Sequence, residues 1–296
     1  MSARRRLIVS ADDFGMSAGV NAGIVRAHRD GILTDTSLMV NGQAFTEAVE
    51  LARAHPTLSV GLHLMLVQGR ATAPPAEIPL LVGSDGLFGN GPIAAGMRFF
   101  FLPGARAQVR REISAQLDKF LATGLPLSHV DGHLTIHVHP VVLEALLAVC
   151  DRYGVRAVRL PREPLVPALR FDHRHLARKL FEAAAFTCLS RWARPRLDRA
   201  RVRYPDRMFG LHQTGRVSEE YLLHILAELP AGVSEIYCHP ALPDDEARRW
   251  RPADYTSEQE LAALTSARVR EALETGGVVR ISYRDLAGET GARPRP

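Results

Sequence analysis

Short apolar runs recur along the chain, each followed by a stretch with helical spacing. Leu7-Ile8-Val9 is the first, and it runs into Ser10-Ala11-Asp12-Asp13-Phe14-Gly15, the pattern of a buried first strand in a parallel sheet. Residues 17–30 carry Val20, Ile24, Val25 and His28 at helical spacing, and Gly31 stops them. A second strand is predicted over 36–40, a second helix over 44–54 and a third strand over 58–64. This strand-helix alternation is the sequence form of right-handed βαβ units. An irregular, Pro- and Gly-rich segment then spans 74–103, read as a functional loop or lid over 83–104 with an apolar knot at 97–102. The rhythm resumes with a helix over 105–123, a strand over 127–131, a helix over 141–153 and a strand end at 157–161. Residues 171–203 read as a helical insertion broken at Pro195, either a surface hairpin or an interfacial amphipathic element. Late strands are predicted at 235–239 and 278–283 with a helix over 257–274 between them, and a polar tail follows Leu286.

Composition narrows this to a soluble globular protein. The 296 residues, 46% hydrophobic and 23% charged, suffice for one large α/β domain spanning 1–296, a length that α/β barrels commonly occupy. The net charge of +5 comes from arginine and would favour an anionic surface or ligand, but no RNA-binding signature, zinc-finger spacing or basic repeat points to nucleic acid. Cys150, Cys188 and Cys238 are odd in number and far apart, which predicts no disulfide framework and a reducing cytoplasm. The apolar run behind the basic N-terminal residues is too short for a signal peptide, and no stretch is long and uncharged enough to span a bilayer.

Candidate chemistry gathers at the predicted strand ends. Asp12 and Asp13 close the first strand, where an extended backbone would send neighbouring side chains to opposite sides. One carboxylate could then hold a metal while the other faces a substrate; the alternative is a solvated turn or helix cap. His63 ends the third strand; His129, His133, His137 and His139 crowd the next with Asp131 among them; His239 closes a later one. The C-terminal ends of parallel strands converge on one face, so these groups can meet, and a His-rich set with one carboxylate suits Zn²⁺ or another divalent metal.

Ala-Asp-Asp-Phe-Gly at 11–15, Val-Gly-Leu-His-Leu at 60–64, His-Val-Asp-Gly-His at 129–133, His-Val-His-Pro at 137–140 and Tyr-Cys-His-Pro at 237–240 resemble the YdjC-like carbohydrate deacetylase family. The likeness is greatest to its hopanoid-biosynthesis-associated branch, through the Pro-Pro-Ala-Glu-Ile-Pro loop, the Phe-Phe-Phe-Leu-Pro knot and Arg-Leu-Pro-Arg-Glu-Pro at 159–164. The resemblance implies a deformed (β/α) barrel, TIM-barrel-like with a helical insertion, that removes acetyl groups from N-acetylamino sugars with a divalent metal ion, Zn or Mg. In the hopanoid branch the substrate would be an N-acetylglucosaminyl hopanoid; a soluble chitooligosaccharide is the alternative. A metal- or sugar-binding protein without turnover is a further reading, which retention of both aspartates argues against. By the same resemblance Asp13, His63 and His133 would hold the metal, Asp12 would be the base that activates water, and His239 would protonate the departing amine, titrating near neutrality. His137, four residues from His133, and Asp131 stand behind the ligands or replace one of them. Thr135 and Ala241 depart from the family pattern, which commonly has His and Gly there. Arg159, Arg162, Phe99, Phe100 and Phe101 are expected at the substrate. The apolar knot and the helical insertion would form an arginine-rimmed entrance at an anionic membrane at the inner face of the cytoplasmic membrane, or else pack against the barrel with the phenylalanines inside.

Overall fold

In the computed structural model, which describes residues 4–89 and 91–289, the first apolar run lengthens into β1 (Arg5–Phe14), buried from Leu7 onward. It is followed by α1 (Ala18–Asp30), whose first turn is capped by the Ser17 hydroxyl accepting from Val20 N–H. β2 (Asp35–Leu38), α2 (Phe45–Ala54) and β3 (Ser59–Leu64) complete the predicted alternation. The strands pair in parallel, with Ala11 opposite Thr36 and Leu38 opposite Leu62.

Part of the segment read as an irregular loop is helical instead. After a short 3-10 turn at Pro75–Glu77 come α3 (Pro92–Phe101) and α4 (Ala105–Leu121). Pro92 at the first helical turn starts α3, and the apolar knot is its last two turns. Phe99 is buried at 1% exposure while Phe101 is 64% exposed, because successive helical positions point about 100° apart. β4 is displaced to Val130–Gly132 and pairs with β3, setting His63 opposite Asp131.

The predicted 141–153 helix divides into α5 (Pro140–Leu147) and α6 (Cys150–Tyr153), and α7 (Leu165–Phe171) precedes the insertion. That insertion is one continuous helix, α8 (Leu176–Arg199), with Pro195 inside it. Pro195 removes one hydrogen bond and the helix runs on for only four more residues, so the break expected there does not occur. β5 (Arg207–Phe209), α9 (Glu219–Ala227), β6 (Gly232–Cys238) and α10 (Asp245–Trp250) follow. The predicted 257–274 helix is two, α11 (Ser257–Leu264) and α12 (Ala267–Thr275), because the Ser266 side chain caps the second. β7 keeps only Val279–Arg280, and α13 (Tyr283–Gly288) begins where the strand was expected to continue, at a capping box made by Ser282 and Asp285. Of the predicted tail, residues 290–296 lie outside the described residues.

The sheet is all-parallel in the order β4-β3-β2-β1-β6-β5, with β7 also on β1. Parallel bridges from Val130 to Val158 and from Ala157 to Arg203 carry the ring from β4 round toward β5, giving a deformed (β/α) barrel. Leu7, Val9 and Ala11 face the main apolar core, whereas Ile8 joins Ala157, Val233, Tyr283 and Leu286 in a separate cluster. The alternate positions carry polar groups: the Ser10 hydroxyl donates to Glu235 at 2.7 Å, and the Tyr283 hydroxyl donates to the same carboxylate at 2.7 Å. Asp35 accepts from Tyr283 N–H at 2.9 Å. Gly61 gives room for the His129 imidazole, since a Cβ there would lie 2.4 Å from Nδ1.

Candidate metal centre

At the C-terminal ends of β1, β3 and β4, Asp13, His63 and His133 come together, with one ligand atom from each within 4.8 Å of the others. Asp13 Oδ1 is 3.5 Å from His63 Nε2 and 3.4 Å from His133 Nδ1. Ligands placed tetrahedrally about 2.1 Å from an ion are separated by about 3.4 Å, so the spacing matches a shared cation. Asp13 owes its place to the backbone: φ is +71°, and the register of β1 against β2 shifts between Ala11 and Phe14. A left-handed non-glycine residue costs of order 1–3 kcal/mol and is held only where the surroundings enforce it. The shift breaks strand alternation, so Asp12 and Asp13 do not diverge to opposite sides as expected; both reach His63.

The imidazoles are oriented from behind. His63 Nδ1 is 2.8 Å from Asp131 Oδ1 and 3.0 Å from the Ser37 hydroxyl; His133 Nε2 is 2.8 Å from Gln68 Oε1. With those nitrogens carrying the protons, His63 Nε2 and His133 Nδ1 turn lone pairs toward Asp13 Oδ1. Asp13 Oδ1 is itself buried without a hydrogen bond. Three acceptors facing one another in a buried site fit a bound cation. Burial pulls the His63 pKa down, but Asp131, Asp12 and Asp13 carry it up to about 9, so without an ion His63 holds a proton on Nε2, which a bound cation would displace.

A second set, Asp12, His63 and Asp131, is equally compact, but a cation already occupies it. Arg159 Nη1 lies 2.8 Å from Asp12 Oδ2 and 2.7 Å from Asp131 Oδ2, its Nη2 donates to the Ser10 hydroxyl, and its Nε donates to Glu235 at 2.9 Å. Arg159 is 3% exposed, and its guanidinium is held inside the barrel by these groups rather than turned to the surface where a substrate contact is expected. Asp12 Oδ1 is left buried with no hydrogen-bond partner, beside the proposed ion position.

His239 follows β6, whose Cys238 pairs with Ala11, and its ring lies between those of Tyr237 and Tyr255 at 5.4 and 5.1 Å. Burial pushes its pKa down to about 4 despite Asp13 and Asp12 nearby, so the expected titration near neutrality is not found. His239 is neutral at pH 7, and its Nδ1 is buried without a partner. His137 stays outside both sets. Leu134 and Thr135 have φ of +51° and +59°, so His133 and His137 share no helical face, and His137 Nε2 lies 3.0 Å from the Arg159 carbonyl oxygen. His129 stacks on Tyr283, with ring centroids 3.9 Å apart. Phe99 packs edge-on against His139 in the interior, which removes it from the expected substrate surface, while Phe100 and Phe101 are exposed. Arg162 is exposed; partial burial and the charges of Arg194 and Arg207 lower its pKa.

Two residues at this centre were not anticipated. Gln68 comes from the loop after β3, and Arg251 from the end of α10, with Nη2 3.0 Å from Asp13 Oδ2. Neither belongs to a residue pattern, and a chelating or basic side chain in a loop carries no spacing signal. Arg251 and Tyr255 also line a cleft of about 540 Å³ between α10 and the start of α11.

Comparison with known proteins agrees with this architecture. A carbohydrate deacetylase of Geobacillus stearothermophilus is 32% identical over 284 residues, covering 95% of this chain and 98% of that one. A carbohydrate deacetylase of Mus musculus is 33% identical over 306 residues, covering 96% and 95%. The crystal structure of a candidate cellobiose-phosphate cleavage protein from Enterococcus faecalis V583 superposes with a TM-score of 0.74 at 28% identity, covering 96% of this chain and 99% of that one. The family described as YdjC-like protein matches residues 6–275, and with this fold and strand-end cluster the chain belongs to the YdjC-like family.

Proposed function

We propose that this chain is a metal-dependent N-deacetylase of an acetylamino sugar, with Asp13, His63 and His133 holding the ion. The observation that carries the reading is a pair of adjacent buried carboxylates, each with one unpartnered oxygen, of which only one faces the two imidazoles. A binding site needs one such carboxylate, whereas amide hydrolysis needs a second as a base. Two imidazoles and one carboxylate favour Zn²⁺ over Mg²⁺, which prefers oxygen ligands. When bound, the ion supplies Lewis-acid polarisation and a lowered water pKa.

The rest is done by the chain. Arg159 holds Asp12 Oδ2, which leaves Oδ1 without a hydrogen-bond partner and able to take a proton from water. His239, neutral beforehand, would first take up through its free Nδ1 the proton that Asp12 removes from water and then give it to the leaving amine. Asp131 and Gln68 hold the two imidazoles in the tautomers the ion requires.

The finer substrate is a lipid-carried sugar, the N-acetylglucosaminyl headgroup of a hopanoid, reached at an anionic membrane surface. Supporting this, α3 and α8 both pack against the His133–Val138 turn and each exposes apolar side chains, with Ile93 at 78% and Phe181 at 71% exposure. Arg162 with Arg191, Arg194 and Arg207 forms a basic cluster suited to anionic headgroups. No helix among the described residues is long and apolar enough to cross a membrane, so this docking would be peripheral. The test is acetate release from N-acetylglucosaminides with and without a hopanoid tail, in the presence of anionic liposomes. Preference for the tailed substrate supports the lipid reading; equal rates favour soluble chitooligosaccharides; no release from either rejects the deacetylase.

A further inference from the structure

Arg251 reaches Asp13 from an element that carries no recognised motif. It directly follows α10, is 9% exposed, and places Nε and Nη2 3.2 and 3.0 Å from Asp13 Oδ2. Its Nη1 donates to the His239 carbonyl oxygen and to the Ser257 hydroxyl, both at 2.9 Å. One guanidinium therefore ties the end of β1 to the end of β6 and to the start of α11. Among the described residues no other group donates to Asp13 Oδ2.

A carboxylate can meet a cation through one oxygen or through both. Here two N–H groups grip Oδ2, while Oδ1 alone faces His63 Nε2 and His133 Nδ1. We infer that Arg251 is a positioning residue that restricts Asp13 to one-oxygen ligation, keeping a coordination position open for the reactants. The inference rests on the metal reading of the site. Catalytic centres require such an open position, whereas a second carboxylate oxygen would crowd it by raising the coordination number to five. The planar fork is essential: lysine would preserve the charge but could not grip Oδ2 while also bonding the His239 carbonyl in the same geometry. The arrangement works against raw affinity, since a guanidinium repels the cation and withholds an oxygen from it.

The experiment uses Co²⁺ as the probe, titrated into metal-free full-length protein and followed by visible absorption, which is strong for four-coordinate and weak for six-coordinate Co²⁺. Wild type should give the intense spectrum. Arg251→Met should bind Co²⁺ at least as tightly but with absorption lowered to the intermediate intensity of five-coordinate Co²⁺, and its kcat should fall about 10–100-fold with the metal site saturated. Arg251→Lys should show the same spectral change, with affinity nearer wild type because the charge is kept. If Arg251→Met does not fold by circular dichroism, Arg251→Lys carries the test. Variants that keep the wild-type spectrum, whatever their thermal stability, overturn the inference alone. Failure of wild type to bind Co²⁺ or Zn²⁺ overturns the metal reading and this inference with it.

Discussion

His133 Nε2 lies 2.8 Å from Gln68 Oε1, which commits one ring nitrogen to a proton and turns the other, Nδ1, toward Asp13. Gln68 itself holds φ at +54°, an uncommon backbone for a non-glycine residue. Replacing Gln68 with Leu should release the imidazole and weaken Zn²⁺ binding about 10–100-fold, measured by competition with a chromophoric chelator. Unchanged affinity would show that the turn around His133 alone orients the ring.

The two aspartates should separate cleanly. Asp12→Asn should keep the metal and lose about 10²–10⁴-fold in turnover, because its Oδ1 is buried without a hydrogen-bond partner on a carboxylate adjacent to the ligand Asp13. Asp13→Asn should lower metal affinity itself. Metal content by atomic emission, alongside acetate release, checks both; equal metal loss in the two variants would exchange their roles.

Glu260 sets a pH dependence of stability. It is fully buried, accepts from Val217 N–H and His239 N–H, and burial raises its pKa from 4.5 to about 7. A raised folded-state value means the proton is held more tightly in the folded chain. The associated stabilisation is complete below pH 4.5 and disappears as pH climbs through about 7. Glu260→Gln cannot titrate, so wild type should lose about 2–3 kcal/mol relative to this variant between pH 4.5 and pH 8. Urea unfolding at the two pH values measures it, and a constant difference would place the Glu260 pKa near its ordinary value.

Phe100, Phe101 and Phe181 are exposed and outside the cluster, so replacing all three with Ser should leave activity on a tail-less sugar within about twofold. Binding to anionic liposomes at low salt should fall strongly. Retained flotation with the vesicles would move the membrane contact elsewhere.

The barrel rhythm and the strand-end histidines were legible because apolar runs and their termini are local signals, and Ser10 to Gly15 and Val60 to Leu64 lie where they were read. The relation of Asp12 to Asp13 was not, because alternation presumes an extended backbone and Asp13 is left-handed. The glycines around residues 83–96 obscured α3, whose pattern is short and whose exposed side carries phenylalanines rather than polar groups. The surroundings of Arg159 are not legible in the sequence. Only the folded chain reveals that Glu235 and Ser10, on two other strands, enclose it with Asp12.

The polar barrel interior ties durability to catalysis. From Asp35 through Tyr283, Glu235 and Arg159, hydrogen bonds lead without interruption to Asp12. In most proteins an engineer can harden the core with aliphatic residues and leave the reactive groups alone. Here the same substitutions would remove the supports that aim the base, so a thermostabilised version has to be sought in the outer helices, with the inside of the barrel left as it is.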